Sequence, residues 1–438
     1  MQNAVSKNLL SFIKNSPSPF HAVASIVKIL KREGFEELIE NNPFSLKLGG
    51  KYYVVRNETS IIAFKLPRTL DNYSFNIVAS HCDSPCFKVK PIADFPTNGY
   101  SRLNVEGYGG MLCATWFDRP LSIAGRLIVS DNDRLESKLV SFDKNLASIC
   151  SLPIHFNREA NDGYKYNMSV DMFPTISEEK ISFKDLLKKE FEVDGEILNY
   201  DLFLYNRQDG YFWGQSDEFI SSAKLDDLQC AYTTLLGFIK AFNNPNVSVY
   251  CCFDNEEVGS LTRQGANSTF LEDVLERITL SLCVDKEKHH QALAKSFMVS
   301  ADNAHAVSPN HPELTDQYNN VYMNKGIVIK FNAAQSYTSD SISSSIFMQI
   351  CKKANVPYQI FTNKSGIRGG GTLGNISGSH VSVSSVDIGI AMLAMHSAME
   401  TSGTIDNEYM VKAIKEYYES FLEIENNTKI QIKKETIE

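Results

Sequence analysis

Between Val247 and Phe253 the chain is apolar, and it then runs into Asp254, Asn255, Glu256, Glu257, Val258 and Gly259. An apolar strand that ends in paired carboxylates and a glycine is one way to build a hydrolytic metal site. One carboxylate can ligate a divalent cation while its neighbour, facing another way, takes a proton from water. A surface turn carrying two acids is the plainer alternative, and the pair alone does not separate the two. Other segments end in the same manner. Phe75 to Ser80 leads into His81, Phe297 to Ala301 into Asp302, and the apolar segment Val386 to Met395 into His396. A fifth candidate, Asp226, stands just before the helix-like run Asp227 to Phe242, where it would also serve as a cap. Taken singly, His81 and His396 read as buried histidines and Asp302 as a turn acid. The case rests on their joint placement.

Such residues meet if their strands are parallel neighbours, because the carboxyl ends of parallel strands in an open sheet share one crevice. The chain carries that α/β pattern. An amphipathic helix holds Leu9, Phe12 and Ile13, and Ser18-Pro19 caps and starts a second helix that closes at Gly34. Lys51 to Arg56, Ser60 to Leu66 and Phe75 to Ser80 read as strands. After residue 220 come the helix Asp227 to Phe242, the strand Val247 to Phe253, a helix near Phe270 to Leu280 and the strand Phe297 to Ala301. The strand Ile327 to Phe331 and the helix Ser341 to Lys353 follow. Residues 91–216 differ, with Gly/Tyr/Asn turns and short runs such as Leu121 to Ser130, and are expected to form an inserted β-rich domain. Residues 1–90 and 217–438 then make up one discontinuous catalytic domain. The Lys/Glu-rich tail after Glu425 is expected to fray.

Composition narrows the class. A chain of 438 residues exceeds one simple core, and 43% apolar with 22% charged content is that of an ordinary globular protein. A net charge of -9 disfavours nucleic acid and anionic membrane as partners. Nine cysteines, an odd number without paired CxxC spacing, read as reduced thiols. Cys82 and Cys86 have no second pair that would complete a zinc-thiolate site. With no long apolar h-region and no stretch near the ~20 apolar residues that cross a bilayer, the protein is expected in the cytoplasm.

Two histidines and three acids suit zinc, with cobalt or manganese as substitutes, and leave room for water and substrate. If Asp226 bridged two ions about 3.5 to 4 Å apart, they could clamp an attacking water and a carbonyl oxygen. Glu256 would then relay a proton to the leaving amine. Asp83, two residues after His81, is placed to take the other N–H of its ring.

At these residues the chain resembles the aspartyl aminopeptidase and vacuolar aminopeptidase family of co-catalytic zinc peptidases. The shared stretches are SPSPFHAV (16–23), SHCDSPCFKVKP (80–91), TWFDRPLSIAGR (115–126), IHFNRE (154–159) and LDDLQCAY (225–232). They continue with DNEEVGS (254–260), SADNAHAVSPN (300–310), GIVIKFNAAQSYTSD (326–340) and LAMHSAME (393–400). The resemblance implies a mixed-sheet, three-layer α/β/α catalytic domain interrupted by a dimerisation domain, with dimers assembled into a dodecamer. It implies two zinc ions per subunit, one on His81 and Asp302, the other on Glu257 and His396, with Asp226 bridging, Glu256 as general base and Asp83 orienting His81. It places Lys330, His305 and Tyr337 near the substrate, and it makes His155 a residue lent to a neighbouring subunit's site. Lys330 would favour an N-terminal Asp or Glu. Asp227, Ser308 and Arg368 depart from residues found in some relatives, which bears on substrate preference. The glycine-rich stretch 365–374 is expected as a flexible loop near the site, without the Gly-Lys-Ser/Thr of a phosphate loop.

The expected activity is release of one residue from a peptide's free N-terminus. The alternatives are an aminopeptidase for neutral or apolar N-terminal residues, and a catalytically silent metal-binding assembly protein.

Overall fold

Strands Val247–Phe253 and Phe75–His81 hold no exposed residue, and both run through the middle of a large mixed sheet. The structure is a computed structural model that describes residues 4–70, 72–97, 99–242, 245–367, 369–426 and 429–434. Among the described residues the sheet has nine strands, in the order Glu36–Glu37, Lys51–Arg56, Ser60–Lys65, Val247–Phe253, Phe75–His81, Phe297–Ala301, Ser384–Gly389, Ile327–Phe331 and Tyr358–Thr362. The four from Val247–Phe253 to Ser384–Gly389 are mutually parallel. Their carboxyl ends therefore open on one side of the molecule.

Alternate side chains explain why these strands read as unbroken apolar runs. Tyr53, Ile61, Ala63, Val78, Tyr250 and Cys252 pack into one core with the helices Ala4–Lys14, Pro19–Arg32, Leu225–Lys240, Ser341–Lys353 and Ile405–Glu419. Their neighbours Val54, Ile62, Phe64, Ile77, Val249 and Cys251 face the opposite way, onto the helix Phe270–Ser281. Helices thus cover both faces of the sheet. Buried polar side chains tie helices to the sheet. The Lys65 ammonium is buried and donates to Phe238 O and Ala241 O at 2.7 and 2.8 Å, closing the end of Leu225–Lys240. The Tyr417 hydroxyl donates to Phe297 O at 2.6 Å and ties the last long helix to a central strand.

Six antiparallel strands form a second sheet, in the order Arg134–Ser141, Leu121–Asp131, Glu196–Asn206, Cys86–Thr97, Tyr100–Tyr108 and Thr175–Ser177. It encloses a core of its own around Phe87, Leu103, Leu121, Ile123, Phe142 and Leu202. A third sheet joins Tyr211–Trp213, Phe219–Ser222, Glu400–Gly403, Ala391–Leu393 and Ala304–His305.

The strands Lys51–Arg56, Val247–Phe253, Phe297–Ala301 and Ile327–Phe331 and the helix Ser341–Lys353 have the bounds expected from the sequence. Other elements differ. Ser18 precedes the helix Pro19–Arg32 but makes no side-chain cap; its hydroxyl pairs with His21 Nδ1 at 2.8 Å. The apolar segment Val386 to Met395 is two strands, because the chain leaves the large sheet after Gly389 and enters the third sheet at Ala391. The tail pairs as an antiparallel hairpin, Ser420–Asn426 with Lys429–Lys434, where Lys434 meets Glu416 and Glu419 at 2.7 and 2.8 Å. Its charges are complementary to the preceding helix, which its Lys/Glu composition alone did not reveal. All nine cysteines are free.

Gly389 stands where a strand end meets the backbone of Asp302. A Cβ built on it would lie 2.0 Å from Asp302 O, an approach that only glycine permits without a shift. Gly389→Ala should lower the unfolding free energy by about 1 to 3 kcal/mol, read from the denaturant midpoint. An unchanged midpoint would mean that the 302 backbone moves freely.

Candidate metal centre

His81 is the last residue of its strand and is 1% exposed. Phe253 lies opposite it in the parallel register, so Asp254 to Glu257 begin one residue beyond the same sheet edge. Asp302 follows Phe297–Ala301. Asp226 arrives from another direction. Lys224 has φ 57°, ψ 33°, and Asp226 and Asp227 depart from helical angles, so their carboxylates project before the regular part of Leu225–Lys240 begins; the Asp226–Asp227 peptide is cis. His396 follows Ala391–Leu393 with φ 67°.

These five residues converge. His81 Nε2 lies 3.6 Å from Asp226 Oδ1 and 3.8 Å from Asp302 Oδ1. His396 Nε2 lies 3.5 Å from Asp226 Oδ2 and 3.4 Å from Glu257 Oε2. Asp226 thus turns one oxygen to each histidine. Its Oδ1 is buried without a hydrogen-bond partner. A buried carboxylate oxygen left in this state costs free energy unless something else satisfies it, and a divalent cation among N and O donors does so. The donor atoms form groups within 4.8 Å of one another: His81 with Asp226, Asp227 and Asp302; His81 with Glu256 and Glu257; and Asp226 with Glu257 and His396.

Two further carboxylates organise the main chain around the cluster. Asp83, fully buried, accepts from the amides of Glu256 and Glu257 at 3.1 Å each and from the Tyr108 hydroxyl at 2.7 Å, and His81 Nδ1 meets its main-chain O at 3.2 Å and lies 3.3 Å from its Oδ1. Glu400 accepts from the Asp226 amide at 3.0 Å and from the His396 amide at 2.7 Å. Neither Glu400 nor Tyr108 stood out in the sequence. Glu400 ends the stretch LAMHSAME, four residues after His396, and Tyr108 sits in a Gly-Tyr-Gly-Gly turn that gives no sign of what its hydroxyl meets. The inserted segment reaches the cluster too: His396 Nδ1 is 2.9 Å from Gly110 O, and the Leu112 amide donates to His396 O at 3.0 Å.

Burial and crowding set the electrostatics. Burial raises the Glu256 carboxyl to about 7, with Asp302, Asp83 and Asp226 adding to the rise and His81 opposing it. Burial, then Asp226, lifts Glu257 well above the usual carboxylate range. Burial acts on Asp226 in the same sense, but the His396 and His81 imidazoles outweigh it and hold this acid below that range. Burial lowers His396, and Asp226 more than restores it, to about 9. One acid is kept ionised between two imidazoles, and the next is poised to hold a proton near neutrality.

The other candidates are placed unevenly. Lys330 is buried with Nζ 3.4 Å from Asp302 Oδ2 and 2.7 Å from Asn303 O. Tyr337 is buried, its ring 5.4 Å from Lys330 Nζ. His305 is exposed and shares the Phe361 ring with Tyr337, at centroid distances of 6.4 and 6.3 Å. His155 lies in an exposed turn of the inserted segment and, among the described residues, joins none of the donor groups. Asp227, noted as a departure, is fully buried and its Oδ2 accepts from the His81 amide at 3.2 Å. Ser308 is half-buried, and its carbonyl accepts from the His311 amide at 3.2 Å. Arg368 lies outside the described residues.

Residues 12–418 match the family described as Aminopeptidase I zinc metalloprotease (M18). The chain is 44% identical over 423 residues to a probable M18 family aminopeptidase 2 of Clostridium acetobutylicum, covering 94% of this chain and 98% of the relative. To the protein of that name from Clostridium novyi it is 45% identical over 431 residues, covering 95% and 100%. Among solved structures, it is similar to a chain in the cryo-EM structure of the Ape4 and Nbr1 complex, at TM-score 0.90 and 32% identity over 95% of this chain and 86% of that one. It is also similar to the S. cerevesiae mApe1 dodecamer, at TM-score 0.81 and 26% identity over 95% and 96%.

Glu400→Ala would leave two buried amides without acceptors. The expected outcome is a loss of about 2 kcal/mol in stability together with less bound metal per chain by elemental analysis. Full metal content and stability in this variant would show that Asp226 and His396 are held by other means.

Proposed function

The chain belongs to the M18 family of aminopeptidase I zinc metalloproteases, hydrolases of peptide bonds, and from that premise we propose that it releases single residues from free peptide N-termini with two zinc ions. His81 and Asp302 would hold one ion, Glu257 and His396 the other, and Asp226 both. The observation that carries this reading is the split of Asp226, with Oδ1 facing His81 and Oδ2 facing His396. When bound, zinc supplies Lewis-acid polarisation of a carbonyl and acidifies water. The protein's own part is to place and move protons. Glu256 takes a proton from water on its carboxylate and returns it to the leaving amine nitrogen. Asp83 fixes the backbone of Glu256 through its amide and the ring of His81 through Nδ1. Cobalt or manganese would fit the same donors.

Lys330 admits two readings. Its charge would favour an acidic N-terminal residue, with His305 and Tyr337 near the peptide. Its existing bonds to Asp302 and Asn303 O instead favour a role beside the ligand Asp302 and a preference for neutral residues. The inserted segment is read as a dimerisation domain and His155 as a residue offered to a neighbouring copy. Leu152, Ile154 and Phe156 support this, since these apolar residues next to His155 in the chain are exposed, Phe156 by 82%. The dodecamer named for the mApe1 structure is the assembly proposed here. No helix among the described residues is long and apolar enough to cross a membrane, and a cytoplasmic setting remains the proposed one.

Glu256→Gln should cut hydrolysis by about 10²- to 10⁴-fold while zinc content persists; retained turnover would remove Glu256 from the base role. Peptides with a blocked N-terminus should resist cleavage. In Lys330→Ala, weaker support of Asp302 lowers all rates alike, so the ratio of Asp- to Leu-terminated cleavage isolates specificity. A fall in that ratio supports acidic recognition, and a constant ratio ends it. Light scattering should give a particle many times 49.1 kDa; a single-chain mass would sink the assembly.

A further inference from the structure

Asp387 is fully buried on the strand Ser384–Gly389 and belongs to none of the donor groups. It pairs with Ser300 on one side. On the other, the register that pairs Val328 with Gly389 and Ile329 with Ile388 brings it beside Lys330. Its carboxylate receives hydrogen bonds from two distant loops. The Thr338 amide and hydroxyl donate to Oδ2 at 2.5 and 2.7 Å, and the Thr372 hydroxyl donates to Oδ1 at 2.6 Å. The Asp387 amide in turn donates to Ser339 Oγ at 2.9 Å.

Thr338 and Thr372 adjoin opposite walls of one groove of about 1040 Å³. Residues 332–336 with Ser339 form one wall, and residues 362–367 with 369–371 form the other. At the base the walls nearly touch, since a Cβ on Gly371 would lie 3.7 Å from Ser336 O. The lining is rich in glycine, serine and asparagine, with Phe331 and Ile367 its large apolar side chains and Asp316 and Lys364 its charges, a surface that offers main-chain and amide groups to an extended peptide. Tyr337 lies beside both Thr338 and the metal centre. It precedes Thr338, and its ring lies 5.4 Å from Lys330 Nζ, itself 3.4 Å from Asp302 Oδ2.

We propose that Asp387 is a positioning residue for the substrate: by tying Thr338 to Thr372 it sets the separation of the two groove walls and the pose of Tyr337, and the groove takes an extended stretch of the peptide. The inference rests on the aminopeptidase reading. A carboxylate suits the task because it accepts on both oxygens. An asparagine of the same size has one acceptor for these donors and brings N–H groups of its own.

The test is steady-state kinetics of Asp387→Asn, Thr338→Val and Thr372→Val on a hexapeptide and on an aminoacyl anilide, with zinc content and melting temperature for each. Asp387→Asn should raise KM for the hexapeptide by about tenfold and for the anilide less, with kcat within about twofold and zinc unchanged. The threonine variants should shift KM in the same direction by less. Unchanged KM with only a lower melting temperature would make Asp387 a residue of the core and overturn the proposal. Loss of zinc and kcat at constant KM would assign it to the metal centre and overturn it equally. If Asp387→Asn does not fold, unchanged KM in both threonine variants overturns the proposal. Wild-type protein inactive on every unblocked peptide would instead sink the aminopeptidase reading itself.

Discussion

Negative charge packed where water cannot reach it is the constraint on which the rest of the structure depends. Asp83, Asp226, Asp227, Asp302 and Glu400 are all buried around one point. Buried carboxylates repel one another and lose hydration, so each needs a donor, a cation or a proton. Main-chain amides serve Asp83 and Glu400, the two imidazoles flank Asp226, and Lys330 stands against Asp302. The His81 amide serves one oxygen of Asp227, while Asp226 Oδ1 and Asp227 Oδ1 remain without a hydrogen bond. The shortfall lies where the donor geometry fits a divalent cation.

The parallel centre of the large sheet makes this crowding possible. Four adjacent strands end at the same edge, and each end is a place where the chain can present a polar group while the strand behind it stays apolar. The cores on both faces are dense and contiguous, so these ends are rigid supports. Precision at the site comes from the sheet, and charge balance comes from the loops around it.

This division also explains what could be read from the sequence. Strands such as Val247–Phe253 and Phe297–Ala301 were legible because burial on both faces demands continuous apolar residues, and His81, Glu257 and Asp302 were legible because they follow such runs. Asp226 was visible as an acid before a helix, but its turn away from helical angles was not. Glu400 and Tyr108 could not be found, since their role depends on which backbone amide or carboxylate lies beside them after folding. The split of Val386 to Met395 into two sheets was hidden as well, because an apolar run does not say which neighbours it will choose. The hairpin at the tail depends on the helix that it meets.

The chain between the strands Phe75–His81 and Val247–Phe253 also supports the metal centre. Tyr108 bonds Asp83, Gly110 O meets His396 Nδ1, and the Leu112 amide reaches His396 O. A shortened chain that spliced residue 90 to residue 217 would keep every histidine and acid of the cluster and still lose the supports of two of them. The stretch from 108 to 112 therefore carries a constraint that its own sequence does not announce: any change that shifts its main chain shifts the supports of Asp83 and His396 with it.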